Sequence, residues 1–174
     1  PAIFDIAKLD YFNATYLRSM SPADFAKVAE PYIRQSVKNP AIDASAVAAL
    51  LQARCEKLTE IPEKVDFFDA LPDYDVAFFT NKKSKTDAEV SVRMLQAAIP
   101  ALEGIADWTQ DAVHDTLIAL AESLGVENAT LMWPVRIAAA GKLVTPGGAV
   151  ELCHILGKDE TLRRLRLGLE KLTA

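Results

Sequence analysis

Apolar residues recur at intervals of three and four along most of the chain, and Ser, Thr, Asp, Pro or Gly punctuate the stretches between them. "SPADFAKVAEPYI" opens with Ser21 as N-cap, Pro22 as the first helical residue and Asp24 behind it, and the spacing predicts that Phe25, Val28 and Tyr32 are buried on one face. In "DASAVAALLQARCEKL" the stripe runs through Val47, Leu50, Leu51 and Leu58, with Arg54 on or beside it. Pro62 starts a short helix carrying Val65, Phe68 and Leu71. Thr86 and Glu89 form a capping box ahead of Val92, Leu95, Ile99 and Leu102. Trp108 before Thr109, with Val113 beyond, has the form of a hydrophobic staple; that helix runs through Leu117, Leu120 and Leu124 to a C-cap at Gly125. The last helix, after Asp159, buries Leu162, Leu165, Leu169 and Leu172 and leaves Arg163, Arg164 and Arg166 mostly outside.

No alternating run of useful length predicts a strand, and no internal repeat is present, so the expected class is all-α, built as two helical-bundle subdomains. The pattern breaks in "DALPDYDVAFFTNKKSK", Asp69 to Lys85, which reads as the linker between them. It breaks again in "LMWPVRIAAAGKLVTPGG", where Pro134 opens and Gly141 closes a short apolar segment around Arg136, and a second turn spans Thr145 to Gly148. Loops and helix ends of this kind leave backbone groups free to meet a ligand.

The 174 residues are 51% hydrophobic, enough for one core or two small helical subdomains, and no run approaches the length needed to cross a bilayer, so a soluble protein is expected. The chain opens on Pro1 without an initiator methionine or a charged-then-apolar leader, as a piece of a longer protein would. Cys55 and Cys153 lie far apart, which fits a reduced cytoplasmic setting better than a disulfide framework. The net charge of -5 argues against a generic polyanion binder. Yet Lys and Arg outnumber Asp and Glu by seven to four from Leu131 onward, against twelve to twenty before it. That basic last quarter could meet phosphate, or simply be a solvated helix face.

Catalytic constellations are missing. "GKLVTPGG" lacks the spacing of a phosphate-wrapping loop, His114 and His154 stand alone, His154 beside Cys153 has no second ligand pair, and the carboxylates form no acid/base pair, so neither catalytic nor metal residues are assigned. "KKSKT", Lys82 to Thr86, resembles the Lys-Met-Ser-Lys-Ser loop with which class I synthetases hold ATP. Such a loop belongs beside a doubly wound nucleotide fold, and no parallel strands or His-Ile-Gly-His partner precede it, so it reads as solvated linker.

Four motifs in order carry a stronger resemblance. "FDIAKLDYFNATYLR", Phe4 to Arg18, with Tyr11 at a position usually tryptophan, "RCEKLTEIPEK" from Arg54, "PVRIAAAGKLVTPG" with Ala140 where threonine is common, and "ELCHILGKDETLRRL" resemble the C-terminal, anticodon-binding half of bacterial-type glutamyl-tRNA synthetases. The resemblance covers nearly the whole chain. It implies a segment over 1–20 that joins a catalytic body to the anticodon-binding region, and helical subdomains over 21–80 and 81–174 that form a cage for the anticodon loop. It also implies tRNA(Glu) and an N-terminal catalytic domain of the same parent chain as partners, a monomer in the cytoplasm, no membrane partner, and no cofactor in this chain, ATP with Mg being used by the parent ligase.

By the same resemblance Arg54 reads the third anticodon nucleotide, and Arg136 with Thr145 and Pro146 holds the first two, while Gly148 stands where a larger apolar residue can pack against a base. Arginine suits a base edge because its planar, permanently charged fork donates parallel bonds. Lys158, Arg163 and Arg164 would touch phosphates. From the residues alone, Arg54 could equally lay its stem along the apolar stripe and carry its head to water, and Arg136 could cap a neighbouring helix. An all-α protein-interaction or scaffold module without RNA binding is the alternative function.

Overall fold

The computed structural model describes residues 6–174, with side chains described from Asn13 onward. The start of the Phe4–Arg18 motif and the side chain of Tyr11 therefore lie outside the described residues. Among the described residues there are nine α-helices and no strand. The elements are α1 Ile6–Ser19, α2 Pro22–Ser36, α3 Ala44–Leu51, α4 Ile61–Val65, α5 Ala88–Glu103, α6 Gln110–Leu124, α7 Asn128–Ala140, α8 Ala149–Leu156 and α9 Lys158–Thr173. The all-α reading holds.

Two compact units result, one ending at Ala70 and the other running from Leu71 to Ala174. The division expected after residue 80 thus comes earlier. The stretch read as a linker is polar on average, but from Leu71 on it belongs to the second unit: Tyr74 and Phe79 are buried, and the 3₁₀ turn Val76–Phe79 packs on α5 and α7.

In the first unit, α2 packs on α3 and α4. Ser21 Oγ accepts from Asp24 N at 3.1 Å, and α2 begins where the cap and Pro22 require. The buried face of α2 is Phe25, Ala29 and Ile33, with Val28 and Tyr32 only half-buried, so the true stripe follows the i, i+4, i+8 ridge. Asp43 Oδ1 caps α3 by accepting from Ser45 N at 2.9 Å. The helix ends at Leu51, short of the expected stripe, and Gln52 Nε2 instead donates to the carbonyls of Leu17, in the last turn of α1, and of Met20, just beyond it. Arg34 fixes the α2–α3 loop by donating to the carbonyls of Val37, Asn39 and Ile42.

In the second unit, α5, α7 and α9 pack against one another, and α6 and α8 cover α7. Asp87, not Thr86, caps α5, accepting from Val90 N at 2.8 Å; the Thr86 hydroxyl donates to Phe79 O. Thr109 Oγ1 and the left-handed Gly125 end α6 as their positions predict. The Trp108 indole donates to Cys153 O at 3.0 Å and so ties the start of α6 to α8. Pro134 lies within α7 rather than opening it. Gly168 on α9 lets that helix approach α7, since a Cβ there would stand 2.9 Å from Ala138 Cβ.

Candidate functional site

Helix α7 places Trp133 and Arg136 one turn apart on a shared face. The Arg136 guanidinium lies 4.7 Å from the Trp133 ring centroid, donates to Thr145 Oγ1 at 2.9 Å and donates to Leu143 O at 2.9 Å. Thr145 Oγ1 in turn donates to Gly147 O at 2.7 Å, so the loop after Gly141 is built around the arginine. Gly141 is left-handed at φ 64° and abuts Tyr74 and Pro72, which sets where that loop leaves α7. Burial pushes the Arg136 guanidinium below its ordinary value, though an arginine stays charged there. The head caps the carbonyl of the following loop, not that of a neighbouring helix.

Beside this fork lies a cleft of about 210 Å³ lined by Ser84, Ala129, Met132, Trp133, Arg136, Gly148 and Ala149. Leu143 and Val144, 48% and 85% exposed, stand on the loop that Arg136 holds. The expected grouping of Arg136 with Thr145 is therefore present, and Gly148 lines the cleft. Pro146, expected as a contact, is buried in that turn and is not presented at the surface. Trp133 and Ser84 were not anticipated. The first was legible as an aromatic three residues before Arg136; the second becomes a neighbour only through the fold.

Arg54 sits in the first unit, exposed in the turn beyond α3, where its backbone N–H donates to Leu51 O at 2.9 Å. It is not on a helical stripe, because α3 has already ended.

The basic last quarter is largely engaged within the fold. Arg164 is fully buried; its Nη1 donates to Ala139 O at 2.7 Å and its Nε to Glu160 Oε1 at 2.8 Å, so the expected phosphate contact is corrected to an internal clamp. Arg163 faces solvent but grips both oxygens of Glu160, at 2.9 and 2.6 Å, and Lys158 Nζ donates to Ile105 O at 2.6 Å. Arg166 pairs with Glu103 and Lys171 with Asp73. A residue count could not reveal this: Glu160 is a neighbour of Arg163 and Arg164 within α9, whereas Ala139, Ile105, Glu103 and Asp73 are brought by the packing. Burial pushes the Cys153 thiol up to about 12, and His154 beside it shares no cluster of metal-ligating side chains among the described residues.

Comparison with known proteins gives this geometry a context. The glutamate–tRNA ligase of Clostridium acetobutylicum is 43% identical over 172 residues, covering 99% of this chain and 36% of that protein. That of Clostridium tetani is 45% identical over 172 residues, covering 99% and 35%. The chain thus spans about a third of the length of these relatives. The crystal structure of a glutamate tRNA ligase from Elizabethkingia meningosepticum, in complex with its amino acid, superposes with a TM-score of 0.78 at 23% identity, over 97% of this chain and 33% of that one; at that identity the likeness is one of fold. The family model described as anticodon binding domain matches residues 24–169, and the chain belongs to that family.

Proposed function

We propose that the chain is the tRNA-recognising part of a glutamate–tRNA ligase and binds the anticodon loop of tRNA(Glu). The observation that carries this reading is the Arg136 fork, stacked on Trp133 and braced by Thr145 and Leu143 at the edge of a cleft. A planar cation held in this way is preorganised to donate to the edge of an unstacked base, and single-stranded loops are where proteins read RNA sequence. Arg136 and Thr145 would take the first two anticodon nucleotides, with Pro146 buried in the turn. Arg54, exposed at the end of α3, would read the third.

Catalysis would fall to an N-terminal domain of the same parent chain, which would activate glutamate with ATP and Mg²⁺ and pass it to tRNA. The protein would act as a monomer in the cytoplasm. No described helix is long and apolar enough to cross a membrane.

The test is binding of the chain to the tRNA(Glu) anticodon stem-loop and to one altered at the third anticodon base, with wild-type and Arg54→Ala protein. Preference for the first loop, erased by Arg54→Ala, supports the reading. Binding that ignores that base in both proteins removes the Arg54 role, and no binding to stem-loop or intact tRNA at low salt overturns the whole proposal.

A further inference from the structure

Most cations of the basic last quarter are already paired within the fold, and the turn at Asn81–Thr86 offers further ones beside the cleft. Asn81 and Thr86 exchange both backbone hydrogen bonds at 3.0 Å, Asn81 Oδ1 accepts from Ser84 N at 3.1 Å, and Lys85 takes a left-handed φ of 57° to close the turn. Thr86 Oγ1 donates to Phe79 O at 2.8 Å, and Thr130 Oγ1 donates to Ser84 O at 2.8 Å. The turn is thereby docked on the first turn of α7, the helix whose later turns bear Trp133 and Arg136. Ser84, 6% exposed, lines the same cleft as those two residues.

Two lysines stand at the top of this turn. Lys85 is paired with Glu127 at 2.8 Å, whereas the side chains of Lys82 and Lys83 are exposed and make no ion pair among the described residues. We propose that Lys82 and Lys83 form a phosphate-binding site for the RNA strand whose base enters the Arg136 cleft. They would hold the backbone of the strand while Arg136 meets the base. Lysine serves phosphate as a point charge and carries no sequence information in doing so. A turn already fixed by backbone and side-chain bonds loses little further freedom when it meets the strand. The inference rests on the anticodon reading above.

The test measures affinity for the tRNA(Glu) anticodon stem-loop against salt concentration, for wild type, Lys82→Ala/Lys83→Ala and Lys82→Arg/Lys83→Arg, with thermal melts to confirm folding. Each single-stranded phosphate contact contributes about 0.7 to the slope of log affinity on log salt, so the alanine pair should lower it by about 1.4. The alanine pair should weaken loops of every anticodon sequence by the same factor, and the arginine pair should behave as wild type. An unchanged slope, with wild type still preferring the tRNA(Glu) loop, overturns the inference and leaves the anticodon reading standing. A wild-type chain that binds neither stem-loop nor intact tRNA overturns both.

Discussion

Arg164 reaches from α9 to the carbonyl of Ala139, donating at 2.7 Å, and so holds the C-terminal turn of the helix that carries Arg136. Helix ends leave carbonyls without intrahelical partners, and a buried guanidinium satisfies this one while Glu160 balances its charge.

Removing that clamp should cost far more than removing its neighbour. Arg164→Ala leaves a buried carbonyl unpaired and a void, for a loss of about 3 kcal/mol. Arg163→Ala, exposed on the same carboxylate, should lose less than about 1 kcal/mol. Urea unfolding of both variants reads the difference, and equal losses would remove the clamp from the account.

Glu160 predicts a pH dependence. Hydrogen bonding from Arg163 is the largest influence on its carboxyl and, with the contribution of Arg164, outweighs partial burial to hold it at about 2 against an ordinary 4.5. A folded value below the unfolded one means that the stabilisation is complete above about 4.5 and fades as pH falls through about 2. Glu160→Gln should therefore lower stability at pH 7 by about 1 kcal/mol, allowing for solvent screening, and approach wild type as pH falls toward about 2. Parallel urea titrations at the two pH values check the convergence; a constant gap would exclude the ionic origin.

Two glycines separate backbone strain from crowding. Both Gly125 and Gly141 are left-handed, at φ 67° and 64°, but a Cβ at Gly125 meets nothing within 4 Å, whereas one at Gly141 would lie 2.9 Å from Tyr74 Cδ1 and 3.1 Å from Pro72 O. Gly125→Ala should cost about 1 kcal/mol for conformation alone. Gly141→Ala should add about 1–3 kcal/mol of overpacking. Thermal unfolding of the pair gives the comparison, and equal shifts in Tm would mean that Tyr74 yields freely.

Thr145→Val keeps the shape of the loop residue but deprives Arg136 of its acceptor. If the braced fork is what meets RNA, affinity for the anticodon stem-loop should fall about tenfold or more. Folding stability should change by only about 1 kcal/mol. Fluorescence anisotropy on the labelled loop measures the first and urea unfolding the second; undiminished affinity would show that the brace is dispensable.

The helix starts and stops at Ser21, Thr109 and Gly125 were legible because each depends on groups within four residues, where backbone and side chain meet whatever the rest of the chain does. The extent of α3 was not, because the apolar pattern continues past Leu51 while Gln52 is drawn off to the end of α1. Faces were harder still. On α2 the candidate stripes Phe25–Val28–Tyr32 and Phe25–Ala29–Ile33 are both helical, and only the packing of α3 and α4 against it selects the second.

The motifs around Arg54, Arg136 and Thr145 already pointed to the family, since residue type and order survive in the primary structure. The roles of the cations needed the folded chain. Arg164 in "RRLR" resembles its exposed neighbours until Ala139, 25 residues earlier, arrives to bury it, and Ser84 becomes part of a cleft only when Thr130, 46 residues later, takes its carbonyl. A charge is written into the chain, but whether water, a carboxylate or a helix end surrounds it depends on what packing brings there. Packing thus withdrew Arg164 from solvent and left Lys82 and Lys83 in it.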